Sequence, residues 1–160
     1  MASDYLLEID GIKGESSDSK LKDSIEIQSF SWGATNAGSS AAGGGGGAGK
    51  VSLQDLHFTT SVSVASPLLL LFCATGQHIK KATLHVRKQG GDQETYYMIK
   101  LEDLMISSYQ SGGHAGSGEV SDQFALNFTK IEFNYKPQKA DGTLGSAISA
   151  GWDVKANKKV

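Results

Sequence analysis

The chain has 160 residues, a net charge of -2 at pH 7 and a single cysteine, Cys73. This length suffices for a domain with its own core, so we expect one domain over residues 1–160. The charges are scattered and provide no basic field for nucleic acid, and a lone cysteine excludes an intramolecular disulfide framework and a cysteine-based zinc site. The N-terminus shows no signal-peptide pattern and no apolar run is long enough to span a bilayer. We therefore expect synthesis in the cytoplasm, no nucleic-acid partner and no membrane insertion.

The first half of the chain predicts strands separated by polar loops. Tyr5, Leu7 and Ile9 alternate with polar residues, which indicates a first strand, and residues 11–22 read as a polar loop after it. Residues 25–33 predict a second strand. Its apolar positions change from one face to the other between Ile27 and Phe30, so the two ends of this strand are expected to bury different faces.

The same change of face recurs around Asp55 and again around Thr129 and Lys130. A bulge that inserts one residue turns every later side chain to the other face, and repeated bulges bend a sheet toward a barrel. Residues 82–88 and 95–109 predict two more strands, joined by a hairpin turn at residues 89–93. The sequence therefore predicts a mainly β fold: a closed or nearly closed antiparallel β-barrel of two packed sheets.

One segment, residues 66–75, predicts an α-helix. Ser66 suits the N-cap, Pro67 the first helical position and Gly76 a left-handed C-cap. The helix is apolar nearly all round, so we expect it to pack against the barrel rather than stand in water.

Two long segments rich in glycine, residues 33–50 and 110–121, read as loops. Ordering so much glycine costs conformational entropy, so such loops are expected to become rigid only by contact with something else. The end of the first segment, Gly44 to Lys50, resembles a phosphate-binding loop. The next residue is Val51 instead of Ser or Thr, and a strand follows instead of a helix, which excludes a nucleotide hydrolase.

No other pattern points to chemistry. Glu102 and Asp103 are neighbours in a strand and point to opposite faces, so they cannot work as an acid and base pair. There is no GxSxG nucleophile motif, and four histidines lack metal-ligand spacing: His57, His78, His85 and His114. We expect no enzyme, no catalytic residue, no metal and no cofactor. A compact barrel with two glycine-rich loops favours self-assembly instead.

Taken together, eight short motifs in order along the chain resemble the haemolysin-coregulated protein (Hcp) family. They are IDGIKGES (9–16), SWG (31–33), GGGAGKVSLQDL (45–56), Ala-Ser-Pro (65–67), CATG (73–76), VRK (86–88), LNF (126–128) and GWDVK (151–155). The resemblance covers nearly the whole chain, and the combination is far more specific than any single motif.

That resemblance implies a structural subunit of the type VI secretion inner tube. In this family, hexameric rings stack into a hollow tube that carries effector proteins in its lumen. A contractile sheath drives the tube, tipped by a trimeric spike protein, into a neighbouring cell. The protein would then be cytoplasmic in the donor bacterium first and later secreted without a signal peptide.

Under this interpretation, we expect Gln28, Ser29 and Ser31 to line the lumen and contact effectors. The glycine-rich segments would provide contacts between subunits or between rings, through Gly43, Gly44, Gly45, Gly46, Gly47, Lys50, Gly112, Gly113 and His114.

An alternative interpretation is a β-sandwich that binds carbohydrate. In that case Trp32, Trp152 and the tyrosines would form a platform on which sugar rings stack. The competing interpretation, which we favour, is that these aromatic residues lie in the core or at a seam between subunits.

Overall fold

The structure is a computed structural model that describes residues 3–36, 50–89 and 93–160. Within these residues the chain forms eleven β-strands and one α-helix. The strands are β1 (Ser3–Ile9), β2 (Ile25–Ile27), β3 (Ser29–Ser31), β4 (Ala34–Asn36), β5 (Val51–Leu53), β6 (Leu56–Ser61), β7 (Ile79–Lys88), β8 (Thr95–His114), β9 (Glu119–Tyr135), β10 (Ile148–Asp153) and β11 (Lys158–Lys159); the helix is α1 (Ser66–Thr75).

All the strand pairs are antiparallel, as predicted. Nine strands form one sheet in the order β11-β10-β9-β8-β7-β1-β2, with β6 paired to β9 and β3 paired to β6. The remaining two strands, β4 and β5, form a separate ribbon. In place of the predicted pair of packed sheets, the described residues form one sheet of nine strands and one two-stranded ribbon.

Closure into a barrel is not confirmed. The second predicted strand is two strands in the structure: β2 pairs with β1, whereas β3 pairs with β6, and Gln28 lies between them. The face change predicted between Ile27 and Phe30 is therefore a change of partner strand. The change predicted around Asp55 is likewise a break, between β5 of the ribbon and β6 of the large sheet.

The two longest strands, β8 and β9, run through both halves of the large sheet. Their faces exchange at one level, where Glu102 pairs with Lys130 just before Leu104 pairs with Phe128. Asp103 on β8 and Thr129 on β9 lie between these two pairs, and Asp103 has a left-handed conformation with a φ of 53°. Each strand therefore has one residue at this level, and the side chains change face while the strands stay in register. The change of face near Thr129 is confirmed, but the register shift in this ladder lies elsewhere, between Ile106 and Ser108.

The prediction of a second loop over residues 110–121 is wrong. Gln110 to His114 continue β8 and Glu119 begins β9, so only four residues turn the chain at the tip. Gly118 has a φ of 69°, and its N–H donates to the His114 carbonyl at 3.2 Å, which closes a tight turn. The glycine content misled the prediction because Gly112 and Gly113 pair in register with Ser121 and Val120.

The helix has the predicted bounds, and Gly76 is its left-handed C-cap with a φ of 64°. Ser66 is not the N-cap; Ala65 is, and the Ser66 side chain bonds across the fold instead. The helix packs on β8 through one face only: Leu69 and Phe72 are buried, whereas Leu70 and Leu71 stay exposed.

The first predicted hairpin is confirmed, because β7 pairs with β8. Residues 90–92 of its turn lie outside the described part of the chain.

Candidate functional site

The half of the large sheet formed by β3, β6, β9 and the end of β8 has one uncharged polar face, here called the neutral face. Residues that pair directly across antiparallel strands point to the same side of the sheet. The pairing gives three rows: Ser31–His57–Ala125–Ser108, Ser29–Thr59–Gln123–Gln110 and Ser61–Ser121–Gly112. Hydroxyl and amide groups dominate these rows, and His57 is the one side chain in them that can take a charge.

The neutral face is bounded by acidic groups at both ends. At one end, the Asp55 carboxylate accepts hydrogen bonds from Ser107 Oγ at 2.6 Å and from Asn127 Nδ2 at 2.8 Å. At the other end, Glu119 pairs with His114 beside the hairpin tip. Between these limits the first two rows, apart from the buried Ala125, line a shallow concavity of about 370 Å³ together with Phe30, Phe58 and Phe124.

The other half of the sheet, formed by β1, β7, β10 and the remaining parts of β8 and β9, presents a charged face. Opposite charges alternate along its rows, which read Glu8–Thr83–Lys100–Glu132 and Lys81–Glu102–Lys130–Asp153. The exchange of faces at Asp103 therefore separates a charged surface from an uncharged one within the same two strands.

The three residues predicted to line a lumen meet at one edge of the neutral face. Ser29 and Ser31 are exposed on β3. Gln28 joins them, because its Nε2 donates to Ser61 Oγ at 2.8 Å and its backbone N–H donates to the Thr59 carbonyl at 2.8 Å. Sequence reasoning missed the rest of the face, because a serine or glutamine in a strand gives no sign of which strand will pair with it.

Two strand edges flank the neutral face. Among the described residues, no strand pairs with the side of β3 opposite β6, or with the side of β8 opposite β9 after Leu104. An unpaired strand edge exposes backbone donors and acceptors that another strand can use. The neutral face therefore lies between two edges that can accept a further strand.

The glycine-rich positions fall in different settings. Lys50 precedes β5 of the ribbon and is exposed, whereas Gly43 to Gly47 lie outside the described residues. Gly112, Gly113 and His114 lie in β8 beside the hairpin tip, so the structure brings them to the neutral face and its edge.

The aromatic residues form a packed cluster rather than a platform. Trp32 Nε1 donates to the Tyr97 hydroxyl at 2.9 Å, and the Trp32 ring meets Phe133 edge to face at 5.6 Å. Tyr97 in turn packs on Phe133 and Phe30 at 4.6 and 5.6 Å. Because the Trp32 N–H is already bonded and its ring packs against Phe133, this arrangement argues against the carbohydrate-stacking alternative.

Two buried polar clusters hold loops and the helix in place. The Arg87 guanidinium, 2% exposed, makes a bidentate pair with Asp18 at 2.6 and 3.1 Å. The hydrogen bond from Arg87, with those from the backbone of Leu21 and Lys20, holds the pKa of Asp18 well below its ordinary value. Asp122 is fully buried and accepts hydrogen bonds from Ser66 and Tyr109. The pKa of Tyr109 is raised, mainly because the hydroxyl is buried and also because it donates to the Asp122 carboxylate.

Nothing in residues 3–36, 50–89 and 93–160 forms a cluster of three or more His, Cys, Asp or Glu side chains able to hold a metal ion. Over the same residues, the structure has no helix with the length and apolar character needed to cross a bilayer. His78 Nδ1 lies 2.9 Å from the Asp103 carboxylate and His85 Nε2 lies 2.8 Å from that of Glu8, so two of the four histidines each contact one acidic side chain.

Comparison with known proteins is decisive at this point. A family profile described as "Type VI secretion system effector, Hcp" matches residues 6–135. Protein hcp1 of Pseudomonas aeruginosa is 39% identical over 159 residues, which cover 98% of each chain. A solved type six secretion system protein superposes with a TM-score of 0.93 at 31% identity, covering 99% of this chain and 100% of the other. Hcp1 from Salmonella typhimurium gives a TM-score of 0.83 at 34% identity, with both chains fully covered.

These similarities put the chain among the secreted structural proteins of type VI secretion. More narrowly, the chain belongs to the Hcp family.

Proposed function

We propose that this protein is the ring subunit of a type VI secretion tube. Six copies would form a ring, the rings would stack into a hollow conduit, and the lumen would carry and protect effector proteins. The observation that carries this proposal is the concave neutral face between two unpaired strand edges.

The two edges supply a way to close a ring. In our proposal, β3 of one copy pairs with the end of β8 of the next copy, so that each contact joins two different surfaces. A head-to-tail contact of this kind produces a closed ring when the rotation between copies completes a circle. Each contact would pair the backbone N–H and C=O groups of two strand edges, which otherwise promote aggregation. It would also continue the rows of the neutral face from one copy to the next.

The contrast between the two faces supports the assignment of inside and outside. A lumen wall without charge would let cargo of either sign pass, because no fixed charge attracts or repels it strongly. The charged face would then turn outward, toward solvent and the contractile sheath, and the trimeric spike would close the tip. Gln28, Ser29 and Ser31 would lie on the lumen side of the contact between copies, where they could touch an effector.

Within one copy we propose a single domain over residues 1–160 whose curved sheet closes on itself across Gln28. Two contacts support this closure: Gln28 N–H donates to the Thr59 carbonyl at 2.8 Å, and Thr60 Oγ1 donates to the Glu26 carbonyl at 2.5 Å. The segment with Gly43 to Gly47 and Lys50, and the tip with Gly112, Gly113 and His114, would then contact the next ring or the neighbouring copy. The protein would act without catalysis and without a cofactor, first in the donor cytoplasm and then outside the cell.

Particle mass tests the proposal directly. Light scattering at micromolar concentration should give six times the chain mass of 16.9 kDa. A stable monomer would contradict the proposal, and a dimer or trimer would contradict the ring size.

Disulfide trapping tests the contact between copies. In a Cys73→Ser background, Ser31→Cys combined with Ser108→Cys should oxidise to a ladder that ends at the hexamer on a gel without reductant. Each single variant is the matched control and should remain a monomer on the gel, because its one cysteine faces a serine across the proposed contact. Gln110→Cys in place of Ser108→Cys covers the neighbouring register, and no ladder from either pair would contradict the proposed edge contact.

A further inference from the structure

A cavity of about 280 Å³ lies beside the end of β7 and the start of β8. Its wall is formed by the loop between β1 and β2, by both of these strands and by Lys136, which directly follows β9. Lys20, Arg87 and Lys136 bring positive charge to it, whereas Glu94 is the one acidic residue among the described residues that line it. We call it the basic cavity.

Asp18 holds the loop wall of the basic cavity in place. Its Oδ1 accepts the backbone N–H groups of Lys20 and Leu21, both at 2.9 Å, so the loop turns tightly around the carboxylate. Both oxygens of the same carboxylate accept hydrogen bonds from the Arg87 guanidinium. The positions of Lys20 and Leu21 in the wall are therefore tied to a buried arginine on β7.

Arg87 has one donor that the fold does not use. The residue is 2% exposed, and its Nη1 and Nη2 both bind Asp18, but its Nε has no hydrogen-bond partner among the described residues. Buried donors are nearly always paired, because an unpaired one loses its hydration without compensation. Since Arg87 lines the basic cavity, an oxygen atom of a ligand there can supply the missing acceptor.

The lining indicates the chemistry of that ligand. Arginine and lysine side chains only donate hydrogen bonds, so they bind an acceptor, and they bind it most strongly when it is negatively charged. Thr95 adds a hydroxyl, and Leu21 and Met98 add apolar wall that can contact a short carbon chain. A phosphate or a small carboxylate meets these requirements.

A second cavity next to Arg87 is a poorer site for an anion. It has a volume of about 350 Å³, and Asp4, Asp18 and Glu26 line it together with Arg87. Three carboxylates repel an anion, so the charges favour the basic cavity.

We propose that the basic cavity binds a small free oxyanion, a phosphate or a carboxylate, between the Arg87 guanidinium and the ammonium groups of Lys20 and Lys136. The ligand connects the loop between β1 and β2 to β7 and to the end of β9, so its binding stabilises the folded chain. The site does not depend on the proposed tube function, because every group that forms it belongs to one copy.

Thermal unfolding and titration calorimetry of the full chain test the proposal. Sodium phosphate and sodium citrate are the probes, and sodium chloride at equal ionic strength is the reference. At least one probe should raise the melting temperature above that of the chloride reference and bind with a dissociation constant below about 10 mM. Binding of phosphate alone identifies a phosphate site, and binding of citrate alone identifies a carboxylate site. Binding of both supports a general oxyanion site, and weaker binding of both overturns the proposal.

Lys136→Gln should raise the dissociation constant about tenfold, because it removes one charge-assisted hydrogen bond. The melting temperature without a probe should stay the same, since Lys136 is exposed. Lys139→Gln is the matched control: it changes an exposed lysine three residues further along that does not line the basic cavity, and it should bind like the wild type. Wild-type affinity in Lys136→Gln would overturn the assigned location.

Arg87→Lys keeps a positive charge for Asp18 but removes the Nε donor. It should weaken binding at least tenfold, and wild-type affinity in this variant would overturn the role of Arg87. If Arg87→Lys does not fold, the double variant Lys20→Gln with Lys136→Gln decides, because both positions are exposed. Its affinity should fall below that of Lys136→Gln alone, and wild-type affinity would overturn the proposal.

Discussion

The hydroxyl of Ser66 donates a hydrogen bond to the carboxyl group of Asp122, 56 residues further along the chain. Tyr109 donates to the other oxygen of the same group at 2.8 Å. Ser66 begins α1, Tyr109 is on β8 and Asp122 is on β9. The fully buried Asp122 carboxyl group therefore links the start of α1 to both β8 and β9 of the long hairpin.

We predict that Ser66→Ala lowers the free energy of unfolding by about 1–3 kcal/mol, because it leaves the buried Asp122 short of one donor. Urea denaturation monitored by circular dichroism measures the change. Thr75→Ala removes an exposed bond to the Leu71 carbonyl at the other end of the helix and should cost less than about 0.5 kcal/mol. Equal losses in the two variants would contradict the role assigned to Asp122.

Leu69→Ala should destabilise the protein by about 2–5 kcal/mol, because Leu69 is 0% exposed and its removal leaves a cavity. Leu70→Ala changes the neighbouring residue, which is 55% exposed, and should stay within about 0.5 kcal/mol of the wild type. Calorimetry on the two variants checks the prediction. A large loss from Leu70→Ala in a particle of unchanged mass would mean that the exposed side of the helix is covered.

The helix also illustrates how far sequence reasoning reaches. Its bounds were predictable from local signals, because Pro67 and Gly76 act on the backbone at their own positions. The role of Ser66 was not, since its partner Asp122 lies on a distant strand. The inward face was also hidden: a helix that is apolar nearly all round gives no periodicity from which to choose Leu69 over Leu70.

The Asp18–Arg87 pair predicts how stability depends on pH. Asp18 has a pKa lowered by folding, so its ionised form contributes stability above the ordinary value of 3.8, and this contribution is lost as the pH falls below that value. Thermal unfolding between pH 7 and pH 2 should therefore show Asp18→Asn less stable than the wild type at pH 7, with the difference narrowing below about pH 4. Asp10→Asn, at an exposed carboxylate, should follow the wild type throughout. A difference that stayed constant with pH would contradict the assigned cause.

We expect Gly14→Ala to destabilise the protein and Gly112→Ala to leave the stability of the monomer unchanged. A Cβ at Gly14 would stand 2.8 Å from the Cα of Ile25 and even nearer to the Ser24 carbonyl, so the substitution should cost about 1–3 kcal/mol. A Cβ at Gly112 would meet nothing within 4 Å in one copy, so the monomer should tolerate it. Denaturant midpoints measured below the concentration of assembly provide the comparison. A strongly destabilised Gly112→Ala monomer would contradict the exposed position of that strand.

Unlike the bounds of the helix, most of the neutral face could not be predicted from the sequence. Gln28, Ser29 and Ser31 could be placed together because they follow one another in the chain. His57, Ser108, Gln110 and Gln123 could not, because their side chains meet Ser29 and Ser31 only through the pairing of four strands. Register depends on contacts distant in sequence, and glycine-rich residues 110–114 looked like a loop for the same reason.

The left-handed residue Asp103 sets a rule for how the long hairpin can vary in length. The side chains of Leu104 to Ile106 owe their inward or outward orientation to the conformation at Asp103, and the register shift between Ile106 and Ser108 sets the orientation of the residues beyond. Deleting a single residue between Leu101 and Leu104 would turn Leu104 and Ile106 outward and Met105 inward. A change of one residue in β8 therefore has to be absorbed by a bulge, as it is between Ile106 and Ser108, whereas a change of two residues leaves the orientation of every later side chain unchanged.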